Sequence, residues 1–227
     1  MMQEFPGIED AKTLAKGMDK PCLVPLVATE SDISNPSELF LSLRKKHDLS
    51  YFLESAGDYH HVSRYSVIGL GSLLHLRYDG SCMEIEGRDD IEEKSKKRLE
   101  NLDDDFDPLR ALRKTMFIED MQILGLDLPR YVLGVTGYLA YDYVYEDVIP
   151  NTERENGSEQ PILEFVLPEA VIVFDHKLNQ TYYASLMVFL EESNFETIHE
   201  RAISRLDNLT SITREDSERK ENEISVD

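Results

Sequence analysis

The sequence has no tryptophan and only two cysteines, Cys22 and Cys82, among its 227 residues. Two thiols cannot form a disulfide framework or a four-thiolate metal site, and this cysteine usage predicts a reducing compartment, the cytoplasm. No apolar run approaches the roughly 20 residues that a helix needs to cross a bilayer. The first residues also lack the basic flank and apolar stretch of a secretion signal. We therefore expect a cytoplasmic protein without a membrane span.

Basic residues are scarce relative to acidic ones. The chain has 24 Lys and Arg against 45 Asp and Glu, which gives a formal net charge of −21. A field of this sign repels phosphate backbones and anionic lipid, so we expect neither nucleic acid nor a membrane surface as a partner. Hydrophobic residues make up 41% of the chain, enough for a buried core in one large domain or two small ones.

Most enzyme signatures are missing. There is no Walker loop, no Gly-x-Ser-x-Gly elbow and no His-Glu-x-x-His helix. Gly69 and Gly71 follow a predicted strand, but Leu74 stands where a dinucleotide-binding loop needs its third glycine. His60 and His61 are adjacent, so on an extended segment they point in opposite directions, and no thiol or carboxylate completes a metal set. The sequence therefore predicts no catalytic residue and no metal site in this chain.

Short apolar segments separated by polar turns, with a few helical patterns between them, predict an α+β fold. We expect antiparallel β-sheets flanked by helices. Asp79-Gly80 predicts a hairpin with a type I′ turn. Pro25, inside the predicted strand 22–28, indicates an edge strand because proline cannot donate to the ladder. The charged, nearly aromatic-free residues 86–107 predict a solvated excursion.

The second half of the chain predicts a β-hairpin followed by a helix. Residues 163–174 and 181–190 are apolar and flank a polar turn, which favours an antiparallel pair. A capping box beginning at Ser193 predicts the last helix. The charged residues 213–227 predict a tail or linker. We therefore expect one domain over residues 1–212, followed by that tail.

One group of polar residues has the chemistry of a ligand site. Glu54 and Ser55 end a predicted strand, and Arg64 follows a short polar turn. A strand–turn–strand arrangement places all three near one rim, where they suit a zwitterionic amino acid: Arg64 or Ser55 would bind its carboxylate and Glu54 its ammonium group. The alternative is an internal Glu54–Arg64 ion pair that only pins the hairpin. Strand alternation also places Glu54 and Ser55 on opposite faces unless the strand ends or twists there.

Three blocks occur in an order typical of one known family. Residues 52–56 (FLESA) and 64–69 (RYSVIG) form the first block, residues 129–142 (PRYVLGVTGYLAYD) the second, and residues 167–176 (LPEAVIVFDH) the third. They resemble the Leu-Leu-Glu-Ser … Gly-Arg-Tyr-Ser-Phe-Ile-Gly, Phe-x-Gly-Gly-x-x-Gly-Tyr-x-x-Tyr-Asp and Leu-Pro … Val-Phe-Asp-His segments of the large subunit, component I, of anthranilate synthase. The resemblance covers about residues 21–209 and only the N-terminal domain of that family.

The resemblance implies a fold, a reaction and a regulatory ligand. The whole subunit converts chorismate and ammonia from a glutamine amidotransferase partner into anthranilate and pyruvate, with Mg²⁺ as cofactor. Its N-terminal domain supplies most of a feedback site for L-tryptophan. By resemblance, Glu54 and Ser55 match the Glu-Ser of the tryptophan-binding motif, and Arg64 falls where the family has a basic residue close to that site. Leu133 departs from the pattern, since it replaces the first glycine of the Gly-Gly pair.

The catalytic, chorismate-binding domain of that family is expected after the last helix, whereas this sequence stops at Asp227. We therefore expect the chain alone to be catalytically inactive and to hold no cofactor, with Mg²⁺ bound only in the intact enzyme. Two alternatives stay open: the N-terminal domain of the aminodeoxychorismate synthase large subunit, and a stand-alone amino-acid-binding module. Glu54, in place of the aspartate often found in the former, favours anthranilate synthase.

Overall fold

The computed structural model describes residues 3–17, 21–31, 35–54, 64–102, 106–122, 128–144, 160–191 and 193–224. The chain divides into two compact units: the first comprises Met1–Gly71, Asp120–Leu133 and Glu169–Asp227, and the second comprises Ser72–Glu119 and Gly134–Pro168. Each unit contains an antiparallel sheet and at least one helix, so the predicted α+β class is confirmed. None of the described helices is long and apolar enough to cross a membrane.

The described residues form ten strands and five α-helices. The strands are β1 (Gln3–Phe5), β2 (Cys22–Glu30), β3 (Ser50–Glu54), β4 (Tyr65–Leu70), β5 (Leu74–Tyr78), β6 (Met83–Gly87), β7 (Thr136–Leu139), β8 (Leu163–Leu167), β9 (Ala170–Asp175) and β10 (Gln180–Phe189). The helices are α1 (Ile8–Gly17), α2 (Pro36–Leu43), α3 (Asp89–Glu100), α4 (Pro108–Thr115) and α5 (Phe195–Ile224).

The first unit is built on a six-stranded antiparallel sheet in the order β1-β2-β10-β9-β4-β3. Alternation along the strands gives this sheet two different faces. One face, here called the helix face, carries Leu26, Ile68 and Phe174 and packs with buried residues of α1, α2 and α5. The opposite face, here called the valine face, carries a smaller cluster formed by Val27, Val67, Val132, Val171, Val173, Tyr182 and Ala184.

The prediction that Pro25 marks an edge strand is wrong, because β2 lies between β1 and β10. The short strand β1 pairs only with residues 27–29 of β2. On the same side, Leu23 forms an isolated bridge with Met121. Pro25 therefore lies between these two contacts, where the ladder needs no N–H from it. On its other side Pro25 is the register partner of Leu186 in β10.

The second unit has a four-stranded antiparallel sheet in the order β6-β5-β8-β7. The predicted solvated excursion over residues 86–107 is wrong, since most of it forms α3. Ile91 and Ser95 lie on the buried side of this helix, and the Ser95 hydroxyl donates to the Thr115 carbonyl at 2.9 Å. Acidic residues occupy the first turn of α3 and basic residues its last turn, and both interact favourably with the helix dipole and so stabilise the helix. The charges that indicated a loop are Asp89, Asp90, Glu92, Lys97 and Arg98.

The predicted hairpin at Asp79-Gly80 is confirmed, but its turn type is wrong. Tyr78 pairs with Met83, so the loop between β5 and β6 has four residues rather than two. The Asp79 side chain accepts from the backbone N–H groups of Ser81 and Cys82 at 2.7 and 2.8 Å. This capping closes the longer loop, in which Gly80 has a φ of 100°.

Two boundaries in the second half of the chain differ from the sequence prediction. The predicted strand 163–174 is two strands, β8 and β9, which belong to different sheets. Pro168 lies between them and cannot donate to a ladder. The last helix is longer than expected: α5 continues to Ile224 through residues predicted as a tail from 213 onwards.

Candidate ligand-binding site

Three strands of the first unit bring Glu54 and Arg64, two of the three predicted ligand residues, to one end of its sheet. Glu54 is the last residue of β3 and pairs with Ser66, near the start of β4. Asp175 is the last residue of β9 and pairs with Tyr65. We call this end of the sheet, formed by Glu54, Arg64, Ser66, Asp175 and His176, the rim. The third predicted residue, Ser55, lies outside the described residues.

Arg64 is bound to Asp175. Its Nε lies 3.1 Å from Asp175 Oδ1, and its Nη2 lies 2.6 Å from Oδ2, a two-pronged ion pair. The Asp175 side chain is 1% exposed, whereas that of Arg64 is 38% exposed. Asp175 is the only described residue that accepts from the Arg64 side chain. Among these residues the Nη1 group of Arg64 has no acceptor.

The Asp175 carboxylate is held from two sides. Burial alone would raise its pKa, but the hydrogen bonds from Arg64 and from the backbone N–H groups of Leu178 and Lys177 bring it below its ordinary value. The hydrogen bond to Asp175 also raises the pKa of the Arg64 guanidinium. Both groups are therefore charged at neutral pH, and Asp175 offsets much of the positive charge that a ligand carboxylate would meet.

Glu54 lies in a separate hydrogen-bonded group. The Ser66 hydroxyl lies 2.8 Å from His176 Nε2 and 3.4 Å from Glu54 Oε1. Glu54 pairs with Ser66, and each lies two residues from a member of the Phe52–Ile68 pair on its own strand. Because side chains alternate along a strand, Glu54 and Ser66 belong to the helix face, as Phe52 and Ile68 do. Ser66 is buried and Glu54 is exposed. The Glu54 carboxylate is thus accessible at the rim and held on one side by Ser66.

The suggested Glu54–Arg64 ion pair is not found among the described residues. Asp175 pairs with Tyr65 and alternates with Val173, which places the Arg64 partner on the valine face. Glu54 lies on the opposite face. The two side chains therefore share a rim but have different protein partners, Asp175 for Arg64 and Ser66 for Glu54.

A partly exposed aromatic surface lies beside the Arg64 guanidinium. The Cζ atom of Arg64 is 4.8 Å from the centre of the Tyr65 ring, which in turn meets the Tyr131 ring edge-on at 5.3 Å. Tyr131 and Leu53 are each 46% exposed. We call Leu53, Tyr65 and Tyr131 the aromatic shelf. An apolar ring can bury area here while its polar groups stay at the rim.

Asp175 and His176 belong to the third block that resembles the family, but the sequence pattern alone assigns them no role. The sequence signal that could have identified them is their position directly after an apolar strand, where side chains reach a sheet end. Arg64 and Asp175 are 111 residues apart, so the pairing of β4 with β9 had to be known first. Tyr131 is in a 3₁₀ turn that packs on β9, and it was missed for the same reason.

The second unit contains a separate open cavity of about 560 Å³. Tyr138, Asp142 and Glu164 are among the residues that line it. Glu164 Oε1 also lies 2.7 Å from His75 Nε2. Glu54 and Arg64 do not line this cavity. In the described part of the chain no group of three or more His, Cys, Asp and Glu side chains could hold a metal ion.

Comparisons with known proteins agree on one kind of relative. No family model matches the sequence. Anthranilate synthase component 1 of Thermus thermophilus is 33% identical over 150 residues, which is 66% of this chain and 29% of that protein. The proteins of the same name from Lactococcus lactis and Aquifex aeolicus are 22% and 31% identical, and the alignments cover 83% and 64% of this chain.

The chain spans about a third of the length of these curated relatives: 29%, 38% and 27% in the three cases. Among solved structures, anthranilate synthase component I from Streptococcus pneumoniae TIGR4 aligns with 79% of this chain and 35% of its own, with a TM-score of 0.36 and 16% identity.

Proposed function

Because the chain is a relative of anthranilate synthase component 1, as its three sequence blocks predicted, we propose that it is the tryptophan-binding regulatory part of such an enzyme. The enzyme would convert chorismate and glutamine-derived ammonia into anthranilate and pyruvate, the first committed step of L-tryptophan biosynthesis. The observation that carries the proposal is the register of β3 and β4. Their pairing brings Glu54 to the same end of the sheet as Arg64, whose guanidinium lies beside the aromatic shelf.

The rim offers each group that a free amino acid needs. Glu54 is exposed and would accept hydrogen bonds from the ligand ammonium group. The Nη1 group of Arg64, together with the Ser55 hydroxyl, would bind the ligand carboxylate. The indole ring would lie on the aromatic shelf, where Leu53 and Tyr131 are partly exposed. In this arrangement, L-tryptophan, the end product of the pathway, would bind here and regulate the enzyme by feedback.

The partners and cofactor of the whole enzyme follow from the same proposal. A chorismate-binding catalytic domain and a glutamine amidotransferase subunit would work with this chain in the cytoplasm. Mg²⁺ would act in the catalytic domain. The described residues contain no group of three or more His, Cys, Asp and Glu side chains that could hold a metal ion.

This proposal also predicts that residues 1–227 alone make no anthranilate. The assay is anthranilate fluorescence with chorismate, Mg²⁺ and an ammonium salt, and a full-length relative serves as the positive control. We expect a rate equal to the protein-free blank. Steady anthranilate formation by the purified chain would contradict the assignment of a purely regulatory role.

Binding can be measured directly because the chain contains no tryptophan. Added L-tryptophan, excited at the red edge of the indole band, would report its own binding by a blue shift and a higher anisotropy. D-Tryptophan and L-phenylalanine test selectivity for the head group and the ring. Equal behaviour of L- and D-tryptophan would overturn the site.

Variants then test the residues. Glu54→Gln and Arg64→Gln should each weaken binding about tenfold or more, because each loses a charge-assisted hydrogen bond. A bulky residue at Ser55 should abolish it. Arg77→Gln is the matched control, since Arg77 lies in the second unit and should leave the affinity unchanged. Binding by the Ser55 variant as strong as that of the wild type would remove Ser55 from the site.

A further inference from the structure

Two adjacent residues after the apolar part of β9 each contact one side of the predicted ligand site. Asp175 accepts from Nε and Nη2 of Arg64 on the valine face. His176 is hydrogen-bonded through Nε2 to Ser66, whose hydroxyl also lies 3.4 Å from the Glu54 carboxylate. In addition, the His176 backbone N–H donates to the Arg64 carbonyl at 2.9 Å. Asp175 and His176 therefore connect both halves of the rim.

We propose that Asp175 and His176 are the positioning residues of the tryptophan site. Asp175 fixes the Arg64 guanidinium so that Nη1 is presented to the ligand carboxylate. His176 acts through Ser66 to fix the Glu54 carboxylate that receives the ligand ammonium group. This inference rests on the proposed function, because it assigns a role within that same site.

The rigidity of Asp175 is the first support. Its side chain is 1% exposed, and its Oδ1 atom accepts from the backbone N–H groups of Lys177 and Leu178, both at 3.1 Å. The carboxylate is thus held by the turn that follows β9. A guanidinium bound at two of its nitrogens to a fixed carboxylate loses most of its rotational freedom before a ligand arrives, and preorganisation of this kind raises affinity.

The distribution of contacts is the second support. Arg64 directly precedes β4, and two contacts reach it from the end of β9: the Asp175 carboxylate accepts from its side chain, and the His176 N–H donates to its carbonyl. Glu54, the last residue of β3, contacts the Ser66 hydroxyl, which is in turn hydrogen-bonded to His176. The two adjacent residues at the end of β9 therefore contact both ligand-binding groups, Arg64 directly and Glu54 through Ser66.

The test is a double-mutant cycle measured on L-tryptophan affinity. Asp175→Asn removes the charge but keeps the size, and it should weaken binding about tenfold. Arg64→Gln should weaken it at least as much. If Asp175 acts through Arg64, the double variant binds no more weakly than Arg64→Gln alone, within about twofold. A residue that only stabilises the fold would instead weaken binding by the same factor in both backgrounds.

A parallel cycle tests His176. His176→Phe removes the hydrogen bond to Ser66, and its effect on affinity should vanish in the Glu54→Gln background. Lys177→Gln, in the same exposed turn, is the matched control and should bind like the wild type. If Asp175→Asn does not fold, Arg64→Lys serves in its place: it keeps the charge but cannot form the two-pronged pair, and it should lose affinity while circular dichroism stays unchanged.

The outcomes separate the two proposals. Selective L-tryptophan binding by the wild type, with additive effects in both cycles, overturns the positioning role and leaves the tryptophan site standing. Non-additive cycles support the positioning role. A wild-type chain that does not discriminate L- from D-tryptophan overturns the proposed function and the positioning role with it.

Discussion

The ion pairs of the two units differ in what each carboxylate would lose without its partner. In the second unit Arg77 lies 3.5 and 3.0 Å from Glu84 and Glu86, whose side chains are 63% and 66% exposed. Water would replace Arg77 there at little cost. In the first unit Asp175 is the only buried acidic residue of the described chain. The chain has 45 acidic residues. We expect removal of the basic partner to cost much stability only for a carboxylate such as Asp175, which water cannot reach to replace that partner.

One glycine from each unit, Gly69 in the first and Gly137 in the second, shows a further difference, namely the group that an added Cβ atom would meet. In the second unit a Cβ atom at Gly137 would lie 2.0 Å from the backbone oxygen of Glu164. In the first unit a Cβ atom at Gly69 would lie 2.1 Å from the ring of Tyr51. A ring can turn aside, whereas a paired strand cannot move without breaking its ladder. The second unit therefore depends more on its glycine, and the first more on its buried charge.

The largest effect is expected for Gly137→Ala. The added methyl group would force β7 away from β8, and we expect a loss of about 3 kcal/mol or more in the free energy of unfolding. Urea unfolding gives the magnitude, and hydrogen exchange of the β7 and β8 amides shows whether the loss is local. Gly69→Ala is the matched control and should cost about 1–2 kcal/mol. Equal losses in the two variants would remove the distinction between backbone and side-chain contact.

Asp175→Asn should have the next largest effect. The amide keeps an acceptor for the turn but presents N–H groups to the Arg64 donors, so we expect a loss of about 2 kcal/mol in the free energy of unfolding. Glu84→Gln, at an exposed ion pair, provides the comparison and should change stability by less than about 0.5 kcal/mol. Similar losses in the two variants would contradict the difference between the units.

The acid sensitivity of the chain tests the same carboxylate. Because the pKa of folded Asp175 lies below its ordinary value of 3.8, its stabilising contribution is complete above the unfolded pKa and disappears as the pH falls through the folded one. The stability gap between wild type and Asp175→Asn should therefore be constant near neutral pH and shrink below about pH 4. Chemical denaturation across this pH range measures it, and a gap that widens in acid would reverse the sign.

The smallest effect is expected for Arg77→Gln in the second unit. The exposed partners Glu84 and Glu86 remain hydrated, so the free energy of unfolding should change by less than about 0.5 kcal/mol. The difference should vanish in high salt, which screens surface charges. Unfolding curves at low and high ionic strength provide the measurement. A loss comparable to that of Asp175→Asn would show that the exposed ion pairs of Arg77 stabilise the fold as much as the ion pair of the buried Asp175 carboxylate does.

Local patterns predicted those parts of the fold whose partners are near in sequence. The β3–β4 pairing over residues 50–70 and the hairpin after Tyr78 each depend on neighbouring segments, and both were predicted. The helix α3 was missed because charged side chains, read as a loop, in fact cover its exposed face around Ile91. The sequence did not predict the break between β8 and β9 at Pro168. Residues 163–174 are mostly apolar on both sides of this proline, so no change in pattern marks the passage from one sheet to the other.

The site was predicted in the same partial way. Glu54 and Arg64 were assigned to one rim from adjacent strands, and the structure places both at that end of the sheet; their binding of a ligand stays a prediction. The partner of Arg64 could not be identified from the sequence, because Asp175 is one of many acidic residues and lies 111 positions away. Only the register between β4 and β9 selects it.

The position of β10 in the six-stranded sheet has a consequence for synthesis. This strand pairs with β2 on one side and β9 on the other, so the amino-terminal strands have no central neighbour until residue 189 has left the ribosome. Thr181 and Glu30, which become register partners, are translated far apart in time. The six-stranded sheet can therefore close only after β10 has been synthesised, and the strands made before it lack these pairing partners until then.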